Sequence, residues 1–286
     1  IIILGLSGVS KSRINFVHKT EPGNIKKRIS TIKNIDEIDI LVIGSSRAFM
    51  GFNADIFNNY NYSIYTVGSI SQTPIISNYI FKKYLTHKKI KTVILEVHPD
   101  NFVSDGVEGA LDICQSLTLD KDFSEVLFKV NNIRLYNSAF YKFISPLIKK
   151  SAEHDQLKDC SNGGFNLVKQ VNENYKNELK FGKMDYNQEQ FIAMKDLIDH
   201  LNENKIDFYL VQMPVTENYK SNLLDNYSDF DSIISNLGKY IDLNKILKLD
   251  DRLDFVDYQH LNFDGATKSS FFLARYLQST DRTIEK

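Results

Sequence analysis

The sequence predicts an α/β domain in three layers: a five-stranded parallel sheet with helices on both faces and a mostly helical insertion. Three observations carry this. Apolar runs of strand length recur, near-continuous in Ile, Leu and Val, as in strands buried on both faces. Segments with apolar residues at helical spacing separate them. Each run also stops at a cluster of small or polar residues, where sheets of this kind bind their ligands.

Taken in order, residues 1–37 read as a lead-in, polar and Lys-rich over 14–38 and expected at the surface. It opens Ile1-Ile2-Ile3-Leu4-Gly5-Leu6 without an initiator methionine, with Lys11 and Arg13 just beyond. Six apolar residues fall short of the roughly 20 that span a bilayer. They read either as the trimmed end of an N-terminal anchor or signal, or as an ordinary strand or tag remnant. Residues 38–43 (Ile-Asp-Ile-Leu-Val-Ile) form the first strand and end at Gly44-Ser45-Ser46. Residues 63–67 form the second, ending at Gly68-Ser69-Ile70-Ser71, and a helix follows over 75–85. The third strand, 92–97, ends at His98-Pro99-Asp100-Asn101.

Residues 103–182 break the rhythm and read as a helical insertion over that edge, within a single domain spanning 38–280. Its aromatics (Phe123, Phe128, Tyr136, Phe140, Tyr141, Phe143) are expected to pack in a core beneath the cap. The alternation resumes with a helix at 188–203, a strand at 207–211, a last strand at 253–256 and a closing helix over 264–278.

Composition narrows the function. The 286 residues are 42% hydrophobic, which excludes a disordered chain. With 35 basic and 36 acidic residues there is no general electrostatic pull toward nucleic acid or anionic membrane. The two cysteines, Cys114 and Cys160, either pair across about 45 residues in an exported protein or remain free thiols.

Two motifs carry chemistry. In Gly44-Ser45-Ser46-Arg47 a serine sits between a strand end and a helix start, its Oγ outward and its N–H near the positive end of the helix dipole. Taken alone, such a turn is usually an N-cap. In Asp257-Tyr258-Gln259-His260 one loop supplies an imidazole to take the serine proton and a carboxylate to hold that imidazole. Taken alone, it is an exposed turn.

Together, G-x-S after the first strand and D-x-x-H before the final helix resemble the SGNH, or GDSL-like, hydrolase superfamily. The resemblance is closest to the Gly-Ser-Ser branch, which includes DltD-like and AlgX/AlgJ-like envelope acyltransferase-related proteins. It covers 38–102 and 205–280. It implies the flavodoxin-like SGNH fold, with Ser46 as nucleophile, His260 as general base and Asp257 as orienting acid. For the oxyanion hole it implies the Ser46 N–H, a backbone N–H near Gln72 (Ser71 on a one-residue shift), and Asn101, with His98 as a substitute donor.

The resemblance further implies a serine-dependent O-acyl, chiefly acetyl, esterase or transferase acting on a glycan of the cell envelope or an exported polysaccharide. That role is extracytoplasmic, with an acyl ester and a glycan as its partners, and needs no cofactor and no metal. The rival expectation is a non-catalytic module of the same fold that binds a glycan or a partner. Arg47 reads either as a binder of an anionic substrate group or as half of a surface ion pair. Glu96 and His98 lie two apart on a strand end but show no third metal ligand. His18, His87, His154 and His200 read as surface residues.

Overall fold

The structure is a computed structural model that describes residues 24–148, 162–176, 185–224 and 229–284. The opening residues 1–6, His18, His154 and Cys160 lie outside them.

The elements run α1 (Asn24–Lys33), β1 (Glu37–Ile43), α2 (Ser46–Met50), α3 (Ala54–Asn58), β2 (Ile64–Thr66), α4 (Pro74–Tyr84) and β3 (Lys89–Glu96). The helices α5 (Pro99–Val103), α6 (Val107–Ser116), α7 (Phe123–Val130) and α8 (Ile133–Ile148) follow. The last stretch comprises α9 (Gln188–Glu203), β4 (Asp207–Gln212), α10 (Glu217–Leu224), α11 (Phe230–Ser235), β5 (Tyr240–Asp242), α12 (Leu243–Ile246) and α13 (Phe263–Ile284).

All strand pairs are parallel, in the order β2-β1-β3-β4-β5, the flavodoxin-like doubly wound arrangement. Successive side chains of β1 enter opposite cores. Leu41 and Ile43 join the cluster that includes residues of α1, α4 and α9, whereas Ile40 and Val42 join the one formed with α3 and α13. The register Ile43↔Leu95 and Val42↔Thr66 brings the ends of β1, β2 and β3 to one edge, where the candidate site lies.

Four expectations are corrected. Over α1 the lead-in is not a surface segment: Ile25, Ile29 and Ile32, one apolar stripe at i, i+4, i+7, are buried in the main core. Residues 253–256 are not a strand. Leu253 is exposed, and Phe255 makes only an isolated antiparallel bridge to Leu261. The fifth strand is instead β5, three residues long with Ile241 alone buried.

The aromatic segment divides as well. Phe123 is buried, but Phe128 and Phe143 are 75% and 78% exposed, and Phe140 and Tyr141 are also exposed. Among the described side chains of α8 the buried positions are Leu135 and Ala139; Phe140 and Tyr141 fall on other faces, and Phe143, one turn beyond Ala139, lies past the buried part of that face. His200 is half-buried, its ring edge-on to Phe81, whereas His87 is exposed. No helix among the described residues is long and apolar enough to cross a membrane.

Candidate active site

The site begins where β1 ends. Ser45 leaves the strand in extended conformation and caps α2, its Oγ accepting from the Arg47 N–H at 3.4 Å. Ser46 is then the first helical residue, partly exposed between neighbours that are buried. Two close approaches fix this turn. At Gly68 a Cβ would stand 3.0 Å from the Ser45 carbonyl oxygen, so a side chain there fits only if that neighbour gives slightly. The Ser45 N–H donates to the buried Glu96 Oε2 at the end of β3, at 2.8 Å.

The second part comes from the turn before α13. Val256 N–H donates to the His260 carbonyl at 2.8 Å, and Asn262 N–H to the Asp254 carbonyl at 3.0 Å, so residues 257–260 form the tip of a closed turn. Beneath it the buried Asn262 side chain donates to the Leu253 carbonyl at 2.7 Å. Asp257 accepts from the Gln259 and His260 N–H groups at 2.8 and 3.0 Å through Oδ1. Both its oxygens lie within 2.9 Å of His260 Nδ1. Burial alone would raise the Asp257 carboxyl. The His260 hydrogen bond and charge, with the two backbone donors, hold it below the usual carboxylate value.

The two parts meet: His260 Nε2 is 2.7 Å from Ser46 Oγ. Ser46, His260 and Asp257 therefore form an unbroken hydrogen-bonded series. With the imidazole proton on Nδ1 facing the carboxylate, Nε2 presents a lone pair to the serine hydroxyl, the arrangement that general-base activation of a nucleophile needs.

Of the residues expected to complete an oxyanion hole, Gln72 is engaged in other bonds through both its backbone and its side chain. The Gln72 N–H faces the Ser69 carbonyl at 3.4 Å. Its side chain accepts from Ser69 Oγ at 2.8 Å and donates to Ser77 Oγ at 3.0 Å. Asn101 Nδ2 donates to Glu96 Oε2 at 3.2 Å, using one of its two amide hydrogens. Ser71 takes a left-handed conformation, φ 49°. His98 is fully buried, its Nδ1 3.2 Å from Asp100 Oδ2 and its Nε2 without a partner.

Arg47 is half of an ion pair, with Glu96 at 3.0 Å, but a buried one and not a surface one: its side chain is 4% exposed, away from a substrate anion. Burial would raise the Glu96 carboxyl, but the Arg47 charge and the Ser45 N–H bring it below its ordinary value. Asp100 accepts from Tyr219 Oη at 2.6 Å. Tyr219, in α10, and Gln259, in the turn before α13, carry no sequence signal, since nothing local separates either from other polar residues of its segment. Glu96 left a signal: a carboxylate closing the apolar run of β3 must find a cation or donors.

No protein-family profile matches the chain, and no curated protein matches it. Solved structures do align. One is a protein assigned to the lipolytic G-D-S-L family, from Desulfitobacterium hafniense DCB-2, with TM-score 0.45 and 10% identity over 84% of this chain and 99% of that one. Another is a protein assigned as an acylhydrolase, from Bacteroides fragilis NCTC 9343, with TM-score 0.45 and 9% identity over 90% and 97%. A third, from Streptococcus pneumonia and assigned as a platelet activating factor, gives TM-score 0.43 and 11% identity over 92% and 97%. The functional reading rests not on these but on Ser46, His260 and Asp257.

Proposed function

We propose that this protein is a serine-dependent acyl-ester hydrolase or transferase of the SGNH type. The observation that carries the reading is the 2.7 Å contact between Ser46 Oγ and His260 Nε2, with Asp257 on the far ring nitrogen. Ser46 Oγ attacks the ester carbonyl carbon as its proton passes to His260 Nε2. The tetrahedral adduct collapses, and His260 returns the proton to the departing alcohol, leaving an acyl group on Ser46. Water, or an acceptor hydroxyl, then reverses the sequence.

The developing oxyanion is received by the Ser46 N–H, a first-turn donor with no carbonyl four residues back inside the helix, together with Asn101. The substrate is a carbohydrate O-acyl ester, chiefly acetyl, on an envelope or exported glycan. This part rests on the resemblance of the Gly-Ser-Ser turn to envelope acyltransferase-related proteins, and an extracytoplasmic location goes with it.

The test is labelling with a fluorophosphonate probe and hydrolysis of p-nitrophenyl acetate. Labelling lost in Ser46→Ala is the expected result. A folded wild-type protein that neither labels nor hydrolyses the ester overturns the reading in favour of a non-catalytic binding module. Release of acetate from an O-acetylated glycan, compared with its transfer to an added glycan acceptor, separates esterase from transferase.

A further inference from the structure

Asp257 and His260 belong to one turn, three residues apart, so their contact orients the imidazole only relative to its own loop. It cannot set how far that loop stands from Ser46. That distance depends on bonds leaving the turn. The Tyr258 carbonyl accepts from Thr216 N–H at 3.0 Å, and Asn262 reaches the Gln170 carbonyl at 3.2 Å. Neither tie leads to the nucleophile. Among the described residues, another does, and it starts at the residue that follows Ser46.

Arg47, the second residue of α2, is buried with its nitrogens directed to different parts of the site. Nε donates to Glu96 Oε1 at 3.0 Å, and one terminal nitrogen to Asn101 Oδ1 at 2.9 Å. The other donates to Gln259 Oε1 at 2.7 Å, with Asp100 Oδ2 3.6 Å away. Gln259 directly precedes His260. Glu96 completes the frame, since its second oxygen accepts the Ser45 N–H. One carboxylate thus fixes both the backbone of the nucleophile turn and the guanidinium that reaches the histidine loop.

We propose that Arg47 is a positioning residue. Held by Glu96 and Asn101, it grips Gln259 and so sets His260 Nε2 at hydrogen-bonding distance from Ser46 Oγ. The inference rests on the serine-hydrolase reading above. Its chemistry is specific to arginine, whose planar fork donates in several fixed directions at once, whereas a lysine ammonium is a compact point charge on a flexible stem. The guanidinium is buried, and Glu96, Gln259 and Asn101 each take one of its N–H donors. Its effect passes through the loop, where a displacement near 1 Å is enough to cost about 10²-fold in rate.

The test uses Gln259→Leu, which severs the tie to the loop without uncovering a buried charge. The measurements are the second-order rate of fluorophosphonate labelling, kcat and KM on p-nitrophenyl acetate, and the melting temperature. Labelling and kcat are expected to fall roughly 10–100-fold with KM and melting temperature little changed. Gln259→Glu, which restores an acceptor for the guanidinium, is expected to recover most of the rate. Arg47→Lys, which keeps the charge beside Glu96 but loses the fork, is expected to follow Gln259→Leu.

A Gln259→Leu protein that labels at the wild-type rate overturns the inference while leaving Ser46 as nucleophile. A shift in melting temperature without a change in rate, or no recovery in Gln259→Glu, overturns it too. A wild-type protein without Ser46-dependent labelling fails the hydrolase reading instead.

Discussion

Gly44 lies so close to Glu96 that a Cβ on the glycine would stand 2.5 Å from Glu96 Cβ and 2.7 Å from its Oε2. The strand end therefore has no room for a side chain unless Glu96 moves. Because Glu96 holds the Ser45 N–H, Gly44→Ala is expected to displace the nucleophile turn. Fluorophosphonate labelling should fall by about 10²-fold or more. An alanine variant that labels like wild type would show that β3 yields here without disturbing Ser46.

The Ser46–His260–Asp257 series gives a graded expectation. Ser46→Ala and His260→Ala each reduce kcat by about 10⁴-fold or more, and combining them costs little beyond either alone, because the two act as a unit. Asp257→Asn is expected to cost less, about 10²–10⁴-fold, since the half-exposed Asp257 lets water share its work. Turnover of an aryl acetate by the single and double variants measures this. Additive losses would contradict concerted action.

Acid should weaken the fold in two stages. Burial, then the nearby Arg47 charge, press the His98 imidazole below its ordinary value, and the pull of Asp100 and Glu96 does not reverse this. Tyr219, packed on the ring, adds a hydroxyl already given to Asp100. The native state thus keeps His98 neutral where the unfolded imidazole has taken a proton. The unfolded chain then binds more protons, and stability falls as pH drops through about 6.5. The carboxyls of Asp100, Glu96 and Asp257, all held low, have the same sign but act later. Their stabilisation is lost as pH falls through and below the ordinary carboxylate range, near 4. Melting temperatures taken from about pH 7.5 down to about pH 2 should show both stages, and His98→Gln should flatten the first. A wild-type melting temperature constant from pH 7.5 to 5 would contradict a neutral buried imidazole.

Helix α1 belongs to the core, and its removal should show that. Ile29→Ala is expected to cost about 2–4 kcal/mol in urea unfolding, from lost burial and the cavity left behind. Exposed Lys27→Ala is expected to stay within about 0.5 kcal/mol. Equal effects would return the segment to the surface.

How far the sequence could be read follows from where its signals are strong. β1, β3 and β4 are buried on both faces and announce themselves as apolar runs, and α9 matches its expected bounds. β5 is an edge strand with one buried residue, too short for a pattern, while the apolar residues near 253–256 serve a turn. α1 carried a clean helical stripe, but its lysines masked it. Ser46, His260 and Asp257 were legible because their spacing is chemical. Arg47 was not, because in sequence a buried arginine beside a serine reads like any surface charge; only the fold brings Glu96, Asn101 and Gln259 around it.

The closed turn at 257–260 has a last consequence. Asp257 and His260 ride on the same few residues, latched by the Val256–His260 backbone bond. A local opening that breaks this bond together with the turn's ties to Thr216 and Arg47 carries both away from the serine together. Heating should therefore silence the protein through that one small opening, before the sheet that bears Ser46 has begun to melt.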